Sequence, residues 1–295
     1  MLEHNYADIN SIRMHYVLSG NGPLIMFLHG FPEYWGVWKK QLAAFSQKYQ
    51  VAAPDLRGYN LTGKPAEVEK YHIRYLVEDI RMLAEHLHRN NFFLVGQDWG
   101  GQVAWSFILR YPEYVEKFVS INATHPVLFN KVLQTDPGQM LASQYMLQLR
   151  SPEAEQTLTA HDCAWLRESV LDSPLKKGQL SPQDVDEWVA AWKQPGAITG
   201  GLNYYRASKE GPPDGKGSPG GSNLIDDLKP GQLQVSVPTL LIYGERDTYR
   251  LPCGLVGLED YVKDLKIVRI PDATHWVTIE KPNLLTSLLR DFFNN

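Results

Sequence analysis

The stretch from Phe92 to Tyr111 constrains this 295-residue chain more than any other. The apolar run Phe92-Phe93-Leu94-Val95 leads into Gly96-Gln97-Asp98-Trp99-Gly100-Gly101, and a helical pattern follows from Gln102. That is a strand, a glycine-flanked turn and a helix. In such a turn the middle residue of G-x-x-x-G sits at a sharp bend, and the glycines admit backbone neighbours that a Cβ would exclude. The bend lifts one side chain over the end of a sheet, here Asp98. A carboxylate attacking an ester or amide would give a reactive anhydride, whereas attack on a saturated carbon gives an ordinary ester. Asp98 therefore points to substitution at an sp³ carbon. The start of a helix favours its ionised form through the dipole and the free N–H groups. Aspartate before a helix is also a common N-cap, and the turn alone does not separate nucleophile from cap.

The flanking sequence extends the same rhythm. Tyr6 to Leu18, around Asn10-Ser11, predicts an antiparallel hairpin, and Leu24 to Leu28 predicts a strand covered on both faces. A helix near Val37 to Phe45, a short strand Gln50 to Pro54 and an amphipathic helix over Ile73 to His88 come next. After the Asp98 turn and its helix, Lys117 to Asn122 predicts another strand. Alternation of this kind implies an α/β fold with a mostly parallel, doubly wound sheet.

Between His125 and about Gly231 the alternation stops. Met140 to Gln148, Pro152 to Thr159 and Ser181 to Trp192 are helix-like, no strand is evident, and Gly211 to Gly221 is rich in Gly, Pro, Lys and Asp, as in a mobile loop. Strands resume at Val237 to Tyr243 and Leu265 to Ile270, and a helix over Asn283 to Phe293 closes the chain. The expected organisation is an α/β core in two parts, 1–126 and 231–295, interrupted by a helical cap over 127–230 that covers the carboxyl ends of the strands.

Composition bounds the function. A net charge of −4 gives no electrostatic case for nucleic acid or an anionic membrane. No apolar run approaches the roughly 18 residues of a membrane span, and Met1 to Asn5 lacks a basic segment followed by an apolar one. The only cysteines, Cys163 and Cys253, lie far apart without metal-ligand spacing. A cytoplasmic protein is the expectation; a homodimer is compatible with the sequence, which leaves oligomeric state open.

Ligands in open α/β sheets bind beyond the carboxyl ends of the strands, where Phe31, Asp98, Asp247 and His275 should project. The order Asp98, Asp247, His275 is the nucleophile, acid, histidine order of the α/β-hydrolase fold. Taken singly, Asp247 is also a good turn cap and His275 is one of nine histidines. Together they occupy three separate strand ends in the required order.

At these residues the chain resembles the α/β-hydrolase superfamily, and within it the epoxide hydrolases, over nearly its whole length. His29-Gly30-Phe31-Pro32 is similar to their H-G-x-P element, in which the residue before proline offers a backbone N–H to an oxyanion hole and the x-Pro bond is often cis. Gly96 to Gly101 is similar to their nucleophile motif, with Trp99 N–H as the second donor. Arg57-Gly58-Tyr59 matches a common segment, with Asn60 where glycine is more usual. Ser143 to Leu147 and Leu202 to Arg206 resemble the cap segments that carry two ring-opening tyrosines, which places that role on Tyr145 and Tyr205, with Tyr204 as a packing residue. A phenol suits the task, since an epoxide oxygen leaves as an alkoxide and must be hydrogen-bonded and protonated. The chain has fifteen tyrosines, and one on a cap helix commonly serves packing alone.

The resemblance implies a cofactor-independent, metal-free hydrolysis of a small, apolar epoxide to a vicinal diol, through an ester on Asp98 that water activated by His275 and Asp247 then cleaves. Three alternatives stand beside it. A haloalkane-type dehalogenase would use the same Asp98 and His275, but usually carries Asn where this chain has Phe31. Fluoroacetate dehalogenases share His-Gly-Phe-Pro but place arginines just after the nucleophile, where Trp99 and Gln102 stand. A non-catalytic binding protein of this fold would typically have lost part of the triad.

Overall fold

A computed structural model describes residues 2–294. Its single sheet has eight strands: β1 (Glu3–Ile9), β2 (Ile12–Ser19), β3 (Leu24–Leu28), β4 (Gln50–Pro54), β5 (Phe92–Gln97), β6 (Val115–Ile121), β7 (Thr239–Gly244) and β8 (Leu265–Ile270). They lie in the order β1-β2-β4-β3-β5-β6-β7-β8. Only β1/β2 and β2/β4 pair antiparallel; every later pair is parallel. Asn10 and Ser11 join β1 to β2 with φ of 42° and 63°, the left-handed pair that a tight two-residue hairpin turn demands. In β3, β5 and β7 every residue is buried, as their unbroken apolar runs require when helices cover both faces.

Helices α1 (Lys39–Phe45), α2 (Ile73–His86) and α3 (Asp98–Arg110) connect the first parallel strands. The expected helix near Val37 begins as a 3₁₀ turn over Trp35–Trp38. Between β6 and β7 the chain forms α4 (Pro126–Thr135), α5 (Pro137–Ala142), α6 (Gln144–Leu149), α7 (Ala154–Leu166), α8 (Asp172–Lys176), α9 (Pro182–Trp192) and α10 (Ala197–Ser208). The expected helix over Met140 to Gln148 is two helices. The break falls at Ser143, whose buried hydroxyl accepts from Gln139 Nε2 at 2.8 Å. Helix α7 outruns its expected end at Thr159, but through a kink at which His161, Asp162 and Cys163 have φ of 48°, 61° and 60°. A π-helical turn, Arg167–Leu171, follows. His and Asp adopt left-handed backbone more readily than most side chains, but no glycine marks the run, so the helical pattern alone does not reveal it.

The Gly211 to Gly221 loop is closed at its base, where the two glycines exchange N–H to carbonyl hydrogen bonds of 3.0 and 2.8 Å. The short α11 (Val277–Glu280) and the closing α12 (Pro282–Asn294) complete the fold. No helix among the described residues is long and apolar enough to cross a membrane.

Candidate active site

Asp98 sits where β5 ends and α3 begins, with φ of 50°. That left-handed conformation is costly for a residue with a side chain and holds only where its surroundings enforce it. Two glycines do so here. A Cβ on Gly100 would lie 2.3 Å from the Leu28 carbonyl oxygen, and one on Gly30 would lie 2.4 Å from Asp98 Cβ. The elbow is thus wedged against the end of β3, which brings the His29-Gly30-Phe31-Pro32 turn onto Asp98. Phe31 N–H donates to Asp98 Oδ1 at 2.8 Å, and the Phe31-Pro32 bond is cis. Trp99 lies in the first turn of α3, where backbone N–H groups have no intrahelical acceptor.

The other carboxylate oxygen, Oδ2, is 3.3 Å from His275 Nε2. His275 Nδ1 is 2.7 Å from Asp247 Oδ2. Asp247 is held in turn by the N–H groups of Tyr249 (2.7 Å) and Arg250 (3.0 Å) on Oδ1 and by Asn122 Nδ2 (2.6 Å) on Oδ2. Asn122 directly follows β6 and Asp247 follows β7, so adjacent parallel strands deliver both groups to one place. Asp98, Asp247 and His275 are all buried.

Burial raises the cost of charge on Asp98, but the His275 hydrogen bond and charge, with help from Arg250 and the Phe31 N–H, hold its carboxyl below the usual range. Burial likewise opposes charge on His275. Asp247 and Asp98 overcome it and raise the imidazole to about 10. At rest an Asp98 carboxylate therefore stands beside a His275 imidazolium.

Tyr145 on α6 and Tyr205 on α10 face Asp98 across a small cavity, about 30 Å³, that Phe31, Trp165, Tyr249 and His275 also line. Their rings are 6.4 Å apart, and that of Tyr205 meets Phe31 at 5.5 Å and Trp99 at 5.2 Å. Burial pushes both phenols well above 10, so they are protonated donors at neutral pH. Tyr204 turns the other way, its hydroxyl donating to the Arg57 carbonyl at 2.9 Å. Of the cap tryptophans, Trp165 lines the cavity; Trp188 packs on Tyr34 and the Trp192 indole donates to the Pro32 carbonyl.

Asn60 has φ of 39° and its side chain donates to Asp55 Oδ2 at 2.8 Å, so asparagine, which tolerates left-handed backbone, takes the place of glycine there. Two further charged side chains, Glu33 and Arg250, are buried near the site. Glu33, buried beside the His29-Gly30-Phe31-Pro32 turn, accepts the Gly30 N–H at 2.7 Å, and burial pushes its carboxyl up to about 8. A charged residue in the otherwise apolar segment Phe31 to Trp35 was the available signal. Arg250 is a buried cation close to the site that no local motif marks. It is paired with Glu210 through Nη2 and lies outside the cavity lining.

The sheet order, the strained elbow at Asp98 and the Asp98–His275–Asp247 array define an α/β-hydrolase. Consistent with this, the family model described as alpha/beta hydrolase fold matches residues 23–282. Among curated relatives, the AB hydrolase superfamily protein YfhM of Bacillus subtilis is 33% identical over 98% of this chain and 97% of its own. Epoxide hydrolase 3 of Xenopus tropicalis is 32% identical over 98% of this chain and 77% of its own. The crystal structure of Bacillus megaterium epoxide hydrolase in complex with an inhibitor superposes with a TM-score of 0.88 at 33% identity, covering 99% of this chain and 100% of that one. The chain belongs to the epoxide hydrolase family of the α/β-hydrolase fold.

Proposed function

We propose that the protein hydrolyses small apolar epoxides to vicinal diols through a covalent ester on Asp98. The observation that carries this reading is the pair of phenols, Tyr145 and Tyr205, across the cavity from a carboxylate that already has an oxyanion donor and a histidine base. Halide departure needs no proton and gives two protonated phenols no task. The cavity has room for little more than a water molecule, so its lining must rearrange when substrate enters.

Asp98 Oδ2 attacks one epoxide carbon from the face opposite the ring oxygen. The C–O bond breaks as Tyr145 and Tyr205 hydrogen-bond the departing oxygen and one of them protonates it. Oδ1 becomes the ester carbonyl oxygen, already on the Phe31 N–H. Esterification removes the Asp98 charge, which lowers the proton affinity of His275; its proton passes to the phenolate left by ring opening, and the neutral imidazole becomes a base. His275, oriented by Asp247, takes a proton from water as that water adds to the ester carbonyl. The tetrahedral oxyanion rests on the N–H groups of Phe31 and Trp99, where one donor typically contributes about 10²–10³ in rate. Collapse expels the second diol oxygen, which takes the proton held by His275; the Asp98 carboxylic acid then returns its proton to the imidazole as the diol leaves.

His275→Gln tests this assignment. With an epoxide substrate, intact-protein mass should rise by the substrate mass, and a single turnover of wild type in ¹⁸O water should leave label in Asp98. An unlabelled Asp98 would overturn the ester mechanism, and halide release without diol formation would assign a dehalogenase instead.

A further inference from the structure

The cavity at Asp98 has a larger neighbour in the cap. A pocket of about 440 Å³ lies between α6 and α7, against about 30 Å³ for the reaction cavity. Leu149 and Trp165 line both, so these two side chains form the partition between them. Ala154 and Leu158, which are buried, give the outer pocket an apolar floor. Gln148 and Thr157, which are exposed, give it a polar rim.

The partition is lightly restrained. Trp165 is 38% exposed, and its indole N–H has no partner among the described residues. By contrast, Trp192 is tied to the Pro32 carbonyl and Trp188 packs on Tyr34. The backbone on either side of Trp165 departs from the α-helix: the left-handed run His161 to Cys163 precedes it and the π-helical turn Arg167–Leu171 follows. Side chains hold left-handed backbone at a cost, and π turns are frequent at functional sites. Ser169 and Val170 of that turn also line the reaction cavity, so a shift of this segment opens the cavity and the partition together.

We propose that the outer pocket is the subsite for the far end of the substrate, and that Trp165 is the specificity-determining side chain that admits an unbranched apolar chain to it. The inference rests on the reaction proposed above. An oxirane seated at Asp98 leaves no room in the reaction cavity for its substituent, and the adjoining space lies beyond Leu149 and Trp165. A passage bounded by one leucine and one indole is narrow, so it takes a linear chain and turns back a branched one. Each methylene buried there strengthens transition-state binding by up to about fourfold.

The test compares a short and a long terminal epoxide, 1,2-epoxybutane and 1,2-epoxyoctane, and reads the ratio of kcat/KM for the long one to that for the short one. Wild type should favour the long epoxide. Thr157→Trp and Gln148→Trp, two plugs set on the exposed rim from opposite walls, should lower the ratio by about threefold or more. Trp165→Ala, which removes the partition, should raise it by about threefold or more. Thermal melts establish that each variant is folded, and the opposite signs separate a subsite from a general loosening of the cap. A smaller shift in both folded plugs or in Trp165→Ala, shifts of the same sign, or a wild type that does not favour the long epoxide would each overturn the proposal. If wild type hydrolysed no epoxide at all, the reaction assignment would fall and this proposal with it; hydrolysis without a length preference removes only the outer subsite.

Discussion

Asp98→Asn removes the nucleophile's charge while keeping its shape, and so imitates the electrostatics of the ester. His275 Nε2 is 3.3 Å from Asp98 Oδ2, but both charges are delocalised, so their centres stand roughly 4.5 Å apart. At an effective dielectric of about 20 such a pair is worth about 4 kcal/mol, or about 3 pH units. Allowing for relaxation around the new amide, the imidazole should fall by about 2–3 units, from about 10 into the range where a base works at neutral pH. The assay is an NMR titration of the His275 ring in wild type and variant, with mass spectrometry confirming that the amide survives. Stability should follow the same change. His275 is raised in the folded protein, so its contribution is complete below the unfolded value of about 6.5 and is lost as pH climbs through about 10. Melting temperature should therefore decline over that alkaline window in wild type, and over a narrower one in the variant. A His275 midpoint within half a unit of wild type would refute the idea that esterification switches on the base.

Other substitutions probe separate parts of the argument. Tyr145→Phe and Tyr205→Phe should each slow ester formation by about 10-fold to 100-fold and the double substitution by more than about 10³, read by stopped-flow single turnovers; ester hydrolysis should be little affected. Asp79→Leu strands the buried Arg57 guanidinium, which Asp79 grips at 2.6 and 2.7 Å, and should cost about 3–5 kcal/mol in urea unfolding. Gly100→Ala drives a Cβ to 2.3 Å from a backbone oxygen, so it should abolish ester formation or prevent soluble expression altogether; a fully active variant would show that the elbow tolerates displacement.

Much of the fold was legible because it is written in local physics. Continuous apolar runs marked β3, β5 and β7, since strands buried on both faces need them. Amphipathic spacing marked α2, and turn chemistry placed the Asn10-Ser11 hairpin. The cap was less legible. The break at Ser143 depends on a hydrogen bond from Gln139 that no propensity reports, and the left-handed run His161 to Cys163 contains no glycine to announce it.

The same division holds at the site. Residue types and their order alone determined which side chains sit at the strand ends, because a parallel sheet delivers every strand's carboxyl end to one edge. Asp98, Asp247, His275 and the Phe31 turn follow from that rule. Only the tertiary structure decided which charges share a low-dielectric space. The raised imidazole of His275 needs two carboxylates from separate loops, and the Arg250–Glu210 pair joins residues 40 apart in sequence. Coulomb energies depend on distance and burial through space, and a linear chain records neither.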